Sequence, residues 1–198
     1  METPEPTPSE WDAKVSRARD GDESSAAWLV SALHGSVLRI VRSHLPRGAD
    51  EKDLIQEVFM KTFGNIDGYL GLQPFPNWVA RIAINTCYDH LRRQKARPEI
   101  RFADLSTEDI EFVENIIERE PESEQHSAVT DGLGLVEKLL ATLHPREQIV
   151  LRILDLEKKS VREACDLTGW GASRVKVTAM RARRKLNETL KRLEGGTL

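Results

Sequence analysis

The sequence predicts an all-α protein with two helical domains joined by an acidic linker. Three observations lead there. Apolar residues recur at helical spacing through most of the chain, and no stretch reads convincingly as a strand. Charge is segregated: residues 98–130 carry ten acidic side chains against Arg101 and Arg119, a net −8, which leaves +5 on the rest of a 198-residue chain of net −3. The C-terminal part holds a short helical segment, a glycine turn and then VKVTAMRARRKL, residues 175–186, with five basic residues and no acidic one. Such segregation implies separate partners for separate parts. The length allows one large or two small domains, each able to bury a core.

Taken in order, Pro4, Pro6 and Pro8 mark a flexible tail over residues 1–9, and the first domain spans 10–97. A helix follows the Asp20-Gly21-Asp22 turn, with Trp28, Leu29, Ala32, Leu33, Val37, Ile40 and Val41 as its apolar side; Leu45-Pro46-Arg47-Gly48 ends it. The next helix, DEKDLIQEVFMKTF, should bury Leu54, Ile55, Val58, Phe59 and Phe63. NIDGYLGLQPFP, residues 65–76, then reads as a loop. One of that length inside a helical unit points to function. From Asn77 a long helix runs through Trp78, Ile82 and Leu91 to the basic end LRRQKAR. The acidic segment 98–130 reads as linker, with FVENIIE a short helical candidate near its middle. Residues 131–194 form the second domain. GLVEKLLATL and PREQIVLRILDL supply two amphipathic helices, with Pro145 placed for a first helical turn. In SVREACDLTGW, Ser160 and Glu163 have capping-box spacing, and Gly169 suits the left-handed end of a helix.

Several function classes find no support. METPEPTPSE lacks the basic start and apolar core of a secretory signal, and no apolar run approaches the roughly 18 residues of a membrane span. Cys87 and Cys165 lie far apart on predicted helices, which suits small packing residues in a reducing cytoplasm. There is no glycine-rich phosphate loop and no metal-ligand cluster. Asp89 and His90 are neighbours that diverge on a helix, and the other histidines are scattered. No catalytic residue, metal or cofactor is expected.

The basic helix has three candidate partners: solvent, an acidic membrane surface or nucleic acid. Val175, Ala179, Ala182 and Leu186 fall on one face at 4-3-4 spacing, while Lys176, Val177, Met180, Arg181, Arg183 and Arg184 look outward. The inward face is mostly Val and Ala, which suits packing on another helix instead of insertion into lipid. A short helix, a glycine turn and a basic helix make the helix-turn-helix pattern, whose second helix lies in the DNA major groove. Nucleic acid is the reading this favours.

The order of these parts resembles the extracytoplasmic-function sigma factors, two-domain members of the bacterial sigma-70 superfamily. The residues that carry the likeness are DEKDLIQEVFMKTF, the Gly/Pro loop, FPNWVARIAINTCYDHLRR, LHPREQIVLRILDLEKKSVREACDLTGW and RVKVTAMRARRKL, within residues 10–192. The resemblance implies a sigma-2-like domain over 10–97 and a sigma-4-like helix-turn-helix domain over 131–194. It implies a non-enzymatic cytoplasmic protein that binds RNA polymerase core, directs it to promoter DNA and meets an anti-sigma factor. It assigns Asp53, Gln56 and Glu57 to the core-binding face. Phe75, Trp78, Arg81, Asn85, Asp89, Arg92 and Arg93 match the part that reads the minus-ten element. Of these, Phe75 and Trp78 also suit the core, and Asp89 also suits a pair with Arg92 or Arg93. Tyr69 marks the loop as the candidate pocket for an extruded base, and Arg81, Arg92 and Arg93 form the track for an unpaired strand. Arg174, Lys176, Val177, Thr178, Met180 and Arg181 match the minus-thirty-five reader, with Arg183, Arg184 and Lys185 as phosphate contacts or solvated charge. Val177-Thr178 stands where Ser-Arg is frequent in the family, and the acidic linker lies where members thread a connector through the polymerase.

The nearest alternative is a helix-turn-helix regulator that binds duplex DNA on its own. It would need a sensor or dimerising domain, and residues 10–97 show neither a receiver pattern nor a heptad seam.

Overall fold

The computed structural model describes residues 6–45, 51–95, 134 and 136–195. The expected acidic linker and its FVENIIE segment lie outside the described residues. Among the described residues there is no strand. The α-helices are α1 (Pro8–Arg19), α2 (Glu23–His44), α3 (Glu51–Gly64), α4 (Phe75–Lys95), α5 (residues 136–142), α6 (Pro145–Leu151), α7 (Val161–Thr168) and α8 (Ala172–Gly195).

Packing gathers the chain into two units, Met1–Asp89 with Arg162–Trp170, and His90–Val161 with Gly171–Leu198. In the first unit α1 packs on α2, α2 on α3, and a 3-10 turn, Ile66–Gly68, on α1 and α3. Helix α1 begins inside the stretch expected as tail. Thr7 caps it, its backbone N–H bonded to Glu10 at 2.7 Å, and Pro8 sits where its missing N–H costs nothing. Asp22 caps α2 after Gly21, whose φ of 87° turns the chain. The buried stripe of α2 is Leu29, Leu33, Val37 and Val41, a strict i, i+4 series that leaves Ala32 exposed. By length and composition α2 could cross a membrane, contrary to the expectation that no run comes close. That stripe is instead packed away in the core, 0–2 % exposed.

Helix α4 starts at Phe75, two residues before the expected Asn77. The break from helical structure between α3 and α4 is therefore shorter than the expected loop, and its first part is the 3-10 turn. Val79, Ala83, Ile84 and Cys87 are the inner face of α4.

In the second unit α6 packs on α8, and Leu140, Leu143, Leu151 and Ala182 form the centre with Val136 and Leu186 against them. Pro145 stands at the start of α6 as expected. The cap itself is His144, whose Nδ1 accepts the Arg146 N–H at 3.3 Å. Glu147 completes the box by accepting the His144 N–H at 2.9 Å. After Leu151 the helix widens into a π turn, Arg152–Leu156, closed by the Glu157 N–H on the Arg152 carbonyl at 2.8 Å. Lys95, the last residue of α4, donates to the Leu143 carbonyl at 2.8 Å, past the end of α5, where the Gln148 side-chain amide also donates at 3.1 Å.

Candidate nucleic-acid interface

Three groups of side chains carry the expected chemistry. The first lies on α3. Leu54, Ile55 and Val58 are buried, so Asp53 and Gln56 fall on the opposite face and are exposed. Glu57 is half-buried and bonds Lys61 at 2.9 Å, one helical turn on. Lys61 also reaches Thr86 at 3.3 Å and Asp89 at 3.8 Å on α4. Asp89 thus meets a cation on the neighbouring helix, a partner that sequence spacing along α4 does not show. Met60, 68 % exposed, continues the α3 surface as an apolar point beside these polar residues.

The second group is the 65–74 loop with α4. Tyr69 is buried, 7 % exposed, and its hydroxyl donates to the Gln73 carbonyl at 2.7 Å. Its ring meets Phe75 edge-on at 5.1 Å and Trp78 at 5.5 Å, and Phe75 stacks on Trp78 at 5.5 Å. Burial pushes the Tyr69 phenol up, so it stays a hydrogen-bond donor. Tyr69, at the centre of the loop expected as a base pocket, therefore braces that loop. What the loop turns outward is Leu70 and Leu72, 77 % and 87 % exposed, on either side of Gly71 at φ 70°. No sequence signal separated these leucines from core residues, because exposure of a loop leucine depends on the path of the loop. Phe75 is core, as its apolar character suggested. Arg81, Arg92 and Arg93 are exposed on α4, and Asn85 is half-buried. The Arg81 guanidinium lies against Gly169, where a Cβ would stand 1.8 Å from it.

The third group is α8. Val175, Ala179 and Ala182 are buried to 2 % or less, as the 4-3-4 spacing predicts. Arg174, Lys176, Val177, Met180, Arg181 and Arg184 are exposed, and Thr178 is half-buried. Val177 and Met180, 41 % and 62 % exposed, put apolar surface among the cations. A surface of that mixture can hydrogen-bond base edges and phosphates and also touch a thymine methyl. The basic residues divide. Arg183 is paired with Asp155 by two bonds of 2.6 and 3.0 Å, which hold its guanidinium even more firmly protonated. Lys185 donates to the buried Glu147 at 2.7 Å. Arg184 reaches Glu188 at 2.8 Å, a bond between exposed groups. Among the described residues, Lys176 and Arg181 make no ion pair.

The chain matches the sigma-70 region 2 family over residues 29–97 and the sigma-70 region 4 family over residues 133–186. The acidic α3 face and the loop fall in the first match, and most of α8 in the second. The chain belongs to the sigma-70 family. It is 33 % identical over 99 residues to the ECF RNA polymerase sigma-E factor of Haemophilus influenzae, covering 50 % of this chain and 51 % of that one. Against the Escherichia coli sigma-E factor it is 34 % identical over 84 residues, 42 % of this chain and 44 % of that protein. The chain spans about half the length of these curated relatives. Two solved structures share the fold of this sigma factor. CnrH in complex with the cytosolic domain of CnrY aligns over 92 % of this chain and 97 % of that one, with TM-score 0.53 and 20 % identity. The sigma factor RpoE of Bartonella quintana, in complex with the anti-sigma factor NepR, aligns over 83 % and 96 %, with TM-score 0.51 and 17 % identity. A stand-alone helix-turn-helix regulator is not favoured, because region 2 occupies the place its sensor would need.

Proposed function

We propose that this sigma factor binds RNA polymerase core and directs it to promoters, without catalysing a reaction itself. The observation that carries this is the division of exposed chemistry between the two matched regions. An acidic, amide-bearing face on α3 stands in region 2, and a cationic and apolar face on α8 in region 4. Asp53, Gln56 and Glu57 offer a polar rim to a basic surface of the core. Arg81, Asn85, Arg92 and Arg93 offer hydrogen bonds and charge to a strand opened at the minus-ten element, with Leu70 and Leu72 as its apolar seat. Arg174, Lys176, Val177, Thr178, Met180 and Arg181 read the minus-thirty-five element, and Arg184 holds a phosphate. The proposed domains remain 10–97 and 131–194, with 98–130 as connector. The protein works in the cytoplasm, where core polymerase and DNA are. Both structural neighbours are complexes, one of them with a protein called an anti-sigma factor, which supports an anti-sigma partner for this chain.

The test is transcription in vitro with bacterial core polymerase on a genomic promoter pool, with and without this protein. Specific transcripts that appear only with the protein support the proposal. Transcripts from core alone, unchanged on its addition, overturn it. Asp53→Ala with Gln56→Ala should weaken core binding in a titration while leaving the circular dichroism spectrum unchanged, since both side chains are exposed.

A further inference from the structure

Arg19 lies on α1, outside the region 2 match, and it was not among the residues expected to matter. Its guanidinium ties the 65–74 loop at two carbonyls. Nε and Nη2 donate to the Ile66 carbonyl at 3.1 and 3.0 Å, and Nη2 also donates to the Tyr69 carbonyl. These carbonyls belong to the 3-10 turn and the residue that ends it; the Ile66 carbonyl also accepts the Tyr69 N–H at 3.1 Å, and Arg19 takes up its second lone pair. A cation there satisfies them and opposes the partial negative charge they carry. Helix α1 is itself fixed. Trp11 meets Trp28 edge-on at 5.2 Å and Phe75 at 6.2 Å, and Val15 is 2 % exposed. Trp11, Val15 and Arg19 follow at i, i+4 and i+8, so one face of α1 carries both the anchor and the arm.

The loop is thus held at its entry by Arg19 and at its base by the Tyr69 hydroxyl on Gln73. Between these points only Leu70, Gly71 and Leu72 project, with both leucines largely in solvent. Two large apolar side chains exposed on a clamped tip have surface to give to a flat apolar partner. An unstacked base, already without its stacking neighbours, is such a partner.

We propose that Arg19 is a positioning residue for promoter opening: it fixes the loop so that Leu70 and Leu72 receive an unpaired base. This rests on the sigma-factor reading above. Arg19 contacts no DNA in this scheme and acts only through the loop carbonyls. A lysine could keep one bond of the arm but not the fork over two carbonyls.

The experiment uses the full chain in reconstituted holoenzyme. It compares wild type, Arg19→Ala, Arg19→Lys and Leu70→Ser with Leu72→Ser. Open-complex formation is measured on a duplex promoter and on the same promoter premelted across the minus-ten element, with the melting temperature of each free protein alongside. Arg19→Ala should slow opening of the duplex about tenfold, the loss expected for a charge-assisted hydrogen bond that holds a site. Arg19→Lys should fall between it and wild type. The premelted template should restore most of the Arg19→Ala defect, because seating the base then no longer has to drive melting. The leucine double variant should be impaired on both templates. An Arg19→Ala protein that opens duplex normally, while the leucine variant fails, overturns the role of Arg19 and leaves the sigma-factor reading standing. A defect of Arg19→Ala equal on both templates, matched by a fall in melting temperature and not relieved by lysine, also overturns it. Normal opening by the leucine variant removes the loop as a base seat, and the proposal with it. No promoter-specific transcription by wild type overturns the sigma-factor reading itself.

Discussion

Glu137 and Arg152 form a pair in which the cost of burial outweighs the attraction in any single-sided deletion. Arg152 is 2 % exposed, and its Nη1 donates to Glu137 at 2.9 Å while Nη2 engages the other carboxylate oxygen. Glu137→Ala would remove the carboxylate that faces a buried guanidinium and is expected to cost about 3 kcal/mol, whereas Glu137→Leu with Arg152→Met should be nearly neutral. Urea unfolding of the full chain, followed by circular dichroism, checks both. A loss below about 1 kcal/mol in the single variant would mean that water reaches the guanidinium, as at a surface pair. On α8 the same scale separates the proposed readers from the braces. Arg181, without an ion pair among the described residues, should lose about 1–3 kcal/mol of promoter binding on replacement by Ala, together with preference at one or two positions. Arg184→Ala should weaken all promoters alike and make the salt dependence shallower by about one phosphate contact, since its exposed bond to Glu188 is readily given up. Both belong on the holoenzyme, with promoter variants at several salt concentrations. Equal losses on every promoter would make α8 an electrostatic anchor only.

At the scale of the element, the start of α6 couples a helix cap to pH. His144 caps through Nδ1 and so must be unprotonated there. Burial and then the Lys95 cation hold it below the ordinary 6.5, with the Glu147 carboxylate opposing. A histidine depressed in the folded state contributes stability above the unfolded value, and loses it as pH falls through the folded one. Glu147 behaves likewise lower down. Burial pushes its carboxyl up, but the bond from Lys185, then the His144 backbone N–H, outweigh this and hold it below 4.5. The melting temperature should therefore fall in two stages on acidification, one beginning near 6.5 and one below 4.5. His144→Asn keeps a good cap that does not titrate, so it should abolish the upper stage and retain the lower one. Persistence of the upper stage in that variant would assign it to another group. At the end of α7, Gly169 has φ 72°, so Gly169→Ala should cost about 1 kcal/mol from the left-handed backbone alone, read as a lower melting temperature.

For the whole molecule, charge segregation makes a prediction of its own. The chain is net −3 only because residues 98–130 are net −8, and the described helices that would meet DNA are basic. Replacing the ten acids of that segment by Ser or Gln should strengthen binding of the free protein to random duplex DNA, most of all at low salt. Fluorescence anisotropy at several salt concentrations measures this. No change would mean that the acidic segment does not screen the basic faces in the free protein.

Local pattern was enough for the helical class, for most of the inward faces of α2 and α8, for Leu54, Ile55 and Val58 of α3 though not for its half-buried Phe59 and Phe63, and for the ends set by Gly21, Gly169 and Pro145. The reason is that burial follows a 3.6-residue period and that glycine and proline restrict the backbone wherever they stand. The same pattern, with the order of motifs, pointed to the sigma family. Local spacing did not show that Tyr69 braces the loop and leaves Leu70 and Leu72 outside, that Asp89 meets Lys61, that Lys185 serves Glu147, or that Arg19 grips carbonyls 47 and 50 residues away. These depend on which helices lie beside one another. A phenol, a carboxylate or a guanidinium is equally at home in solvent and against a buried partner, so only packing decides which it finds. Sequence period determined which faces turn inward; tertiary structure decided which polar side chains hold the fold and which stay exposed.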